Sequence, residues 1–229
     1  EAAAQSAIDG ALAARPVLSE PALARRLVAA LPSGATLVTS SSMPVRDVEW
    51  FAAPRRAVRF LANRGANGID GVVSTAMGVA AARRSPTYAL VGDLAFFYDA
   101  GALLGAGGRP LDLTLVVVDN SGGGIFSFLP QAAALPREQF EQLWGTPPGA
   151  DPAAVAEAYG ARVVAAPDGD AVARAVATAP AGVTVVVARV ADRHANVAAH
   201  QAVNDAVAAA VAAAVAPGVA GGVSRRRRG

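Results

Sequence analysis

The sequence predicts an α/β protein with a doubly wound, roughly six-stranded parallel sheet and helices on both faces. Short apolar runs alternate along the chain with stretches that favour helix. The runs are apolar throughout, which is typical of parallel strands covered by helices on both sides, whereas half-exposed strands alternate polar and apolar residues. The chain has 229 residues, of which 53% are hydrophobic, and this is enough to bury one substantial core.

Six apolar runs predict buried strands. They are TLVTS from Thr36, AVRFLA from Ala57, TYALVG from Thr87, LTLVVV from Leu113, RVVA from Arg162 and VTVVVARV from Val183. A helix precedes the first strand: Ser19 caps it, leucines at four-residue spacing form its buried face, and it should end near Pro32. Further helices are expected over residues 71–84, 95–104, 151–159 and 170–179.

This pattern divides the chain into three segments. Residues 1–18 are expected to be a helix or linker that enters from a missing upstream region, and residues 19–215 to form one domain. Residues 216–229 should be a flexible tail, whose basic character comes from the run 225–228. Without those four arginines the 20 basic residues fall to 16, against 18 acidic ones. A basic patch on the folded body is not indicated, so no nucleic-acid partner is expected.

Composition excludes several kinds of chemistry. The chain has no cysteine, and therefore no disulfide, thiolate nucleophile or cysteine-bound zinc. It also has no lysine, which excludes a phosphate-loop lysine and Schiff-base catalysis within this chain. His194 and His200 are six residues apart, unlike a zinc-binding pair, and are expected to be helix-surface or packing residues. No signal-peptide pattern is visible and residues 206–220 are too short to span a bilayer, so a cytoplasmic protein without membrane insertion is expected.

Two polar residues follow neighbouring apolar runs where each predicted strand ends. Asp93 comes directly after the third run and Asn120 after the fourth. In doubly wound sheets, ligands bind beyond the carboxyl ends of the strands. One carboxylate, one amide oxygen and a carbonyl near Gly122 would supply the protein's share of an octahedral magnesium shell. The sequence therefore predicts a Mg²⁺ (or Mn²⁺) site formed by Asp93, Asn120 and Gly122.

The backbone beside these residues is suited to a diphosphate. Leu94 and Ala95 begin a predicted helix, whose free N–H groups favour an anion. The run of glycines over residues 122–124 allows close approach of the backbone without a Cβ collision. Either fragment alone would be an ordinary helix start or turn. Together, on successive strand ends, they favour a magnesium–diphosphate site.

Three stretches resemble a known family. GDL from Gly92, followed by DNSGGGIF from Asp119, is similar to the thiamine-diphosphate signature, with Leu94 for the usual third glycine and Asp119 for the first asparagine of a pair. NRGANGIDGVVSTAMGVA from Asn63 and SSMPVRDVEWF from Ser41 narrow the resemblance, with Asn67 in place of a serine. The family is that of the 2-succinyl-5-enolpyruvyl-6-hydroxy-3-cyclohexene-1-carboxylate synthases of menaquinone biosynthesis, and the likeness runs from about Ser19 to Asn196.

The resemblance implies a thiamine-diphosphate-binding fold over residues 19–215 and a role for individual residues. The metal ligands would be Asp93, Asn120 and the carbonyl of Gly122. The substrates would be faced by Ser42, Arg46 and Arg64, with the pocket walled by Ile125, Phe126 and Leu129. The cofactor would be bound by Ile69 beneath its two rings and by Gly92, Asp93, Leu94, Ala95, Asn120, Gly122, Gly123 and Ile125.

The implied activity is that of a transferase that joins decarboxylated 2-oxoglutarate to isochorismate. Both substrates are dicarboxylates, and planar guanidinium groups match carboxylates in a bidentate manner. Two structural alternatives stay open: Arg64 can pair with Asp70, and Arg46 can pair with Asp47 or Glu49 on a helix surface. The family forms homodimers or higher homo-oligomers, with sites shared between subunits.

No catalytic residue is assigned to this chain. The family takes the glutamate that activates the aminopyrimidine from an amino-terminal domain, so the isolated chain is expected to be inactive. Glu20 and Glu49 lie on predicted helices, and Glu138, Glu141 and Glu157 follow the glycine-rich loop, so none of them is expected to serve. Two alternatives remain: another thiamine enzyme of the acetolactate-synthase or 2-oxoacid decarboxylase type, and a non-catalytic nucleotide- or thiamine-binding regulatory module.

Overall fold

The structure is a computed structural model that describes residues 1–15, 17–66, 68–83 and 85–219. Asn67, where the related family has serine, and residues 220–229 of the predicted tail lie outside the described residues. The strands are β1 (Thr36–Thr39), β2 (Arg59–Ala62), β3 (Thr87–Gly92), β4 (Leu113–Asp119), β5 (Arg162–Ala165) and β6 (Val183–Arg189). The helices are α1 (Ala2–Ala13), α2 (Glu20–Ala30), α3 (Met43–Phe51), α4 (Val72–Ala82), α5 (Asp93–Asp99), α6 (Gln131–Ala134), α7 (Arg137–Phe140), α8 (Pro152–Ala158), α9 (Gly169–Ala177) and α10 (Arg193–Val219).

The six strands form one parallel sheet in the order β2-β1-β3-β4-β6-β5. After β1 the chain moves outward through α3 to β2, and it then returns to place β3 on the other side of β1. The crossovers therefore diverge between β1 and β3, and a crevice opens at the carboxyl ends of these two strands. Such a switch point is where doubly wound sheets bind ligands. The predicted fold class is confirmed.

Helices cover both faces of the sheet. Along β4, Leu115 and Val117 are fully buried on one face, against α4, α5 and α8. Val116 lies between them on the opposite face and packs with residues of α2, α3 and α9. Successive side chains of a strand point to opposite faces, so a strand buried on both sides must be apolar at every position. The apolar run over residues 115–118 of β4 has this cause.

Two of the strands predicted to be buried are partly exposed. β2 and β5 are the outer strands of the sheet, and their residues are exposed or half-buried. An edge strand has a neighbour on one side only, so the covering helices protect it less. The prediction of burial was wrong for these two strands, because apolar content alone does not distinguish an edge strand from a central one.

The first helix of the sheet domain follows its predicted capping. The Ser19 hydroxyl accepts the N–H of Ala22 at 3.4 Å, Pro21 stands in the first turn, and the helix ends at Leu31. The leucines at four-residue spacing are buried. This helix starts near the carboxyl ends of the strands, which brings Glu20 to the same edge of the sheet as Asn120.

The described chain divides into two compact units. One comprises the described residues between 17 and 197 and contains the six-stranded sheet, and the other comprises residues 1–15 and 198–219. Helix α10 continues to Val219, past residue 216, where the basic tail was expected to begin. His200 is buried and His194 is exposed beside the ring of Phe140, as packing and surface histidines are. Within the described residues, no helix is both long and apolar enough to cross a membrane.

Candidate functional site

A cavity of about 480 Å³ lies at the carboxyl ends of β1, β3 and β4. Its walls come from the segments that follow these strands, together with the start of α2 and the loop before α4. The predicted site residues that line it are Ser42, Arg46, Arg64, Ile69, Gly92, Asp93, Leu94, Ala95, Asn120, Gly122, Gly123, Ile125 and Phe126. Leu129 is not among the lining residues; it follows the short helical turn at residues 124–128 and is 39% exposed. The structure thus brings the remaining residues together from four separate segments, at 42–46, 64–69, 92–95 and 120–126.

The two predicted side-chain metal ligands converge on one N–H group. The backbone N–H of Gly122 donates to Asp93 Oδ2 at 2.8 Å and to Asn120 Oδ1 at 3.1 Å. Both oxygens must therefore lie within hydrogen-bonding reach of the same point. Asp93 Oδ1 accepts the N–H of Leu94 at 2.7 Å, which fixes the carboxylate where α5 begins. The described residues contain no group of three His, Cys, Asp or Glu side chains suited to a metal, so a cation here would depend on mixed oxygen donors.

Burial changes the acidity of the carboxyl group in this cluster. The side chain of Asp93 is 1% exposed, and burial raises its pKa to about 6. The N–H donors of Leu94 and Gly122 act in the opposite direction, since hydrogen bonds to the carboxylate favour the charged form. A buried carboxylate has a strong need for a positive partner, and a divalent cation would meet it.

The glycine-rich loop after β4 is held tightly by the protein itself. The N–H of Gly123 donates to the carbonyl of Gly145 at 2.8 Å, and Arg193 donates to the carbonyl of Ser121 and to the carboxylate of Glu141. A Cβ on Gly123 would lie 2.6 Å from the carbonyl oxygen of Trp144. The glycines were expected to leave room for an anion, whereas the close neighbours seen here are the backbone of residues 144–145 and nearby side chains. Neither Arg193 nor Glu141 carried a sequence signal for this role.

Hydroxyl and guanidinium groups also line the cavity. Ser42 has φ 72° and ψ −133°, a strained conformation for a residue with a Cβ, at the point where α3 begins. One turn later, Arg46 donates from Nη1 to the carbonyl of Ser42 at 2.7 Å and lines the cavity. Arg64 approaches from the loop after β2. Two cations and a hydroxyl therefore line the same cavity as Asp93, an arrangement suited to carboxylate groups.

Apolar side chains complete the cavity. Ile69 projects from the loop before α4, and Ile125 and Phe126 project from the turn after the glycines. The ring of Phe126 packs on that of Trp144, with centroids 5.3 Å apart. These walls reduce the water in the cavity, and charges within it interact more strongly as a result.

Glu20 lies in the wall of the cavity, although its position on a predicted helix argued against a role as the activating glutamate. Its side chain is 3% exposed, and Oε1 accepts a hydrogen bond from Asn120 Nδ2 at 2.7 Å. Burial, and then the charge of the neighbouring Asp47, raise the pKa of Glu20 to about 8. This contact could not be predicted from the sequence, because acidic residues are common in the first turn of a helix for their interaction with its dipole.

Comparison with known proteins identifies the class to which this fold and site belong. Residues 38–190 match the family model described as "Thiamine pyrophosphate enzyme, C-terminal TPP binding domain". The matched range begins within β1, includes β3 and β4, and contains all the predicted residues that line the cavity. The chain belongs to this family of thiamine pyrophosphate-binding domains.

Several relatives with similar sequences share one enzyme name. The chain is 53% identical to the 2-succinyl-5-enolpyruvyl-6-hydroxy-3-cyclohexene-1-carboxylate synthase of Myxococcus xanthus over 69% of its length. It is 46% identical over 77% of its length to the synthase of that name from Chloroflexus aurantiacus. It spans 27% and 30% of these two proteins. The resemblance that the motifs indicated is confirmed.

Solved structures support the fold. A benzoylformate decarboxylase from Polynucleobacter necessarius superposes on 78% of the chain with a TM-score of 0.61 and 24% identity, and the match covers 33% of that protein. A putative thiamin diphosphate-dependent enzyme from Mycobacterium smegmatis gives a TM-score of 0.59 at 20% identity, covering 77% of the chain and 32% of that protein. At these identities the likeness establishes the architecture alone.

Proposed function

We propose that this chain is the diphosphate- and metal-binding half of a synthase that joins decarboxylated 2-oxoglutarate to isochorismate in menaquinone biosynthesis. The observation that carries the proposal is a single cavity in which oxygen ligands face two arginines. Asp93, Asn120, Arg46 and Arg64 all line this cavity. A site for a cofactor anion with its metal, next to a site for substrate carboxylates, is what this transferase reaction needs.

The residues fit a Mg²⁺ or Mn²⁺ ion bound together with a diphosphate. Asp93 and Asn120 would each supply a side-chain oxygen and Gly122 its carbonyl, leaving positions for diphosphate oxygens and water. Support comes from the shared N–H partner of the two side-chain oxygens. Gly92, Leu94 and Ala95 border the same space where α5 begins, and Gly123 borders it from the loop. Thiamine diphosphate, when bound, supplies the electron sink for loss of carbon dioxide and for carbon–carbon bond formation.

The chain's own side chains would bind and orient the two dicarboxylates. Arg46 and Arg64 would pair with substrate carboxylates and Ser42 would donate or accept a hydrogen bond beside them. Ile69 would support the cofactor from below. Ile125 and Phe126, with Leu129 nearby, would exclude water from the reacting groups. A dry wall suits loss of a carboxylate, because water stabilises the charged starting state.

The pyrimidine end of the cofactor would be bound by a second domain. The relatives are more than three times as long as the matched segment, which leaves room for a domain that supplies the activating glutamate. In the complete enzyme we propose a homodimer or higher homo-oligomer, in the cytoplasm, with the site formed between domains. Residues 19–215 would be the thiamine-diphosphate domain of that assembly.

The first prediction separates cofactor binding from substrate binding in the enzyme that includes the upstream domain. Asp93→Ala should abolish metal-dependent binding of thiamine diphosphate, by analogy with removal of one partner of a buried charge pair, at about 3–5 kcal/mol. Arg46→Ala and Arg64→Ala should leave cofactor binding nearly intact and lower kcat/KM for the dicarboxylates by roughly 10- to 100-fold, since a hydrogen bond to a charged group contributes about 1.5–3 kcal/mol.

Calorimetry of cofactor binding and steady-state kinetics with both acids are the measurements. Arg174→Ala is the matched control, because Arg174 is exposed on α9 and should change neither quantity. Unchanged cofactor affinity in Asp93→Ala would show that the metal site does not lie in this cavity. Unaltered use of both acids by the two cavity arginine variants would instead favour an enzyme of the acetolactate-synthase type.

A further inference from the structure

Glu20 contacts a proposed metal ligand without itself being one. It is the first residue of α2, and Asn120 follows β4 one hundred residues later in the chain. The carboxyl oxygen Oε1 accepts a hydrogen bond from Asn120 Nδ2 at 2.7 Å. A polar contact of this kind in a buried wall is costly to leave unmade, since each group has lost its water.

The amide of Asn120 can face the metal site in only one productive way. Its two ends differ: Oδ1 is an acceptor and a metal ligand, whereas the NH₂ group donates and repels a cation. The N–H of Gly122 can donate only to Oδ1, and it does so at 3.1 Å. That N–H is shared with Asp93 Oδ2, at 2.8 Å. The contact to Asn120 is the longer of the two and constrains the amide only weakly. The hydrogen bond to Glu20 is therefore the main constraint on the orientation of the Asn120 amide.

A second observation places the amide and Glu20 in the same packed unit. A Cβ on Gly124 would lie 2.7 Å from Asn120 Nδ2 and 3.5 Å from Glu20 Oε1. The glycine therefore leaves the space in which the hydrogen bond forms. Glu20 also hydrogen bonds to the carboxyl group of Asp47. Whether or not a proton lies between the two carboxyl groups, Oε1 keeps a lone pair for Asn120.

We propose that Glu20 is a positioning residue of the metal site, which accepts the Nδ2 hydrogen of Asn120 and so directs Oδ1 toward the cation. The inference rests on the proposed function, because it assigns Asn120 to the metal. It predicts that the acceptor at residue 20 matters and that its negative charge does not. Partners behind metal ligands commonly change metal affinity by about 10- to 100-fold when removed.

The test measures Mn²⁺ affinity, by the electron paramagnetic resonance signal of free Mn²⁺, in the presence of thiamine diphosphate and the upstream domain. Glu20→Met removes the strong acceptor at similar length and should weaken Mn²⁺ binding about 10- to 100-fold. Glu20→Gln retains a carbonyl oxygen and should stay within about threefold of the parent. Glu157→Met, on the exposed face of α8, is the control and should have no effect.

A double-variant cycle distinguishes positioning from general loss of structure. In an Asn120→Ala background, Glu20→Met should no longer weaken Mn²⁺ binding, because the group that it orients is absent. An equal loss in both backgrounds would overturn the proposal. So would parent-like affinity in Glu20→Met, or a loss in Glu20→Gln as large as that in Glu20→Met.

Two further measurements apply if Glu20→Met does not fold or if the parent binds no Mn²⁺. Asn120→Asp places a second carboxylate against Glu20 and should lower Mn²⁺ affinity. Glu20→Gln in that background should restore the affinity, because the new amide donates to the new acceptor. Failure of this rescue would overturn the proposal.

In the cofactor-free chain, the side-chain amide protons of Asn120 should exchange slowly in the parent and in Glu20→Gln, as seen by nuclear magnetic resonance. Fast exchange in the parent would show that the hydrogen bond between Asn120 and Glu20 does not form. Absence of cofactor-dependent Mn²⁺ binding in the parent, with slow exchange retained, would count against the proposed function and not against the contact.

Discussion

Gly122 must be a glycine for two separate reasons. Its φ of 134° is a conformation that residues with a Cβ rarely adopt. A Cβ there would also collide with the carbonyl oxygen of Gly145 and the guanidinium of Arg193. Neither neighbour can withdraw easily, because Gly145 accepts the N–H of Gly123 and Arg193 bridges Ser121 to Glu141. The backbone of the proposed metal loop is therefore fixed by packing from behind.

Gly122→Ala is accordingly expected to destabilise the fold by at least about 2 kcal/mol, from strain and overpacking together. Urea denaturation followed by circular dichroism measures the change. Gly78→Ala is the control: Gly78 lies inside α4 with open space around it, so alanine should raise stability by about 0.5–1 kcal/mol there. A parent-like denaturation midpoint for Gly122→Ala would contradict the tight packing of this loop.

Ser42 shows strain at a position that faces the proposed substrates. Replacing a residue at φ 72° by glycine should release strain of order 1–3 kcal/mol and raise the melting temperature. The same change removes the hydroxyl, so kcat/KM for the dicarboxylates should fall. Ser41→Gly should not raise stability, since Ser41 is not among the positive-φ residues. Calorimetric melting and kinetics test the two effects, and a Ser42→Gly variant that is both less stable and fully active would refute the argument.

Single residues were predictable where a strand end set their place. The places of Asp93 and Asn120 at one edge of the sheet could be predicted from sequence, because each directly follows a buried strand and strands of a parallel sheet end at one edge. Glu20 could not, because its approach depends on how α2 packs across the sheet, and its neighbour in space is one hundred residues away. Arg193 was missed for a similar reason: it acts through the backbone of Ser121.

Helices and strands were predictable where the same spacing of hydrophobic residues continued over the length of the element. The central strands β3 and β4 and the helices α2 and α4 appear within a few residues of their expected limits. The segment after the glycines was not predicted: it folds into short turns, α6, α7 and a π-helical turn at 141–145. No periodic pattern covers these pieces. Their shape depends on tertiary contacts, such as that of Glu141 with Arg193, which a local pattern cannot contain.

Helix α10 gives a prediction about pH. Asp192 precedes it, and its Oδ1 accepts the N–H groups of His194 and Ala195, both at 2.9 Å. The bond from Ala195, and also that from His194, hold the pKa of Asp192 below its ordinary value of 3.8. A lowered pKa in the folded state means that the cap stabilises the protein above pH 3.8 and that this contribution is lost as pH falls through the folded-state value.

Replacing Asp192 by Ala should cost about 1 kcal/mol near neutral pH, as loss of a helix cap does. Asp192→Asn keeps an acceptor that does not titrate, so it should match the parent at neutral pH and lose less stability than the parent on acidification. Chemical denaturation at pH 7 and at pH 3 compares the three proteins. Equal acid sensitivity of the parent and Asp192→Asn would exclude a contribution from this carboxylate.

At the scale of the whole molecule, the described chain contains a six-stranded sheet and one side of a proposed active site. The cavity is bordered by Asp93 and Asn120, which are the proposed metal ligands, and by Arg46 and Arg64. This arrangement could be predicted from the sequence, because the motif residues come directly after predicted strands. It could not establish that Glu20 reaches the cavity, and this residue has to be considered when asking whether the chain holds its own activating acid.

Glu20 is poorly placed for that task. Its carboxyl group is engaged by Asn120, which belongs to the metal end of the proposed cofactor site, and by Asp47. Activation of the cofactor requires a carboxyl group within hydrogen-bonding distance of the aminopyrimidine, roughly 2.6–3.2 Å. A carboxyl group held by a proposed metal ligand and by Asp47 would not be free to bind the aminopyrimidine as well.

The isolated chain should therefore have no synthase activity, and should gain it when an upstream pyrimidine-binding domain is supplied, in the same polypeptide or as a separate protein. Decarboxylation of 2-oxoglutarate and consumption of isochorismate are assayed with the purified chain, with and without that domain. The control is a domain in which the activating glutamate is replaced by glutamine, which should restore cofactor binding but little turnover, because general acid–base catalysis contributes about 10²- to 10⁴-fold. Appreciable product from the chain alone would sink the two-domain argument. Glu20→Gln would then identify the source, since loss of that activity would assign the activating acid to Glu20 and its retention would assign it elsewhere in the chain.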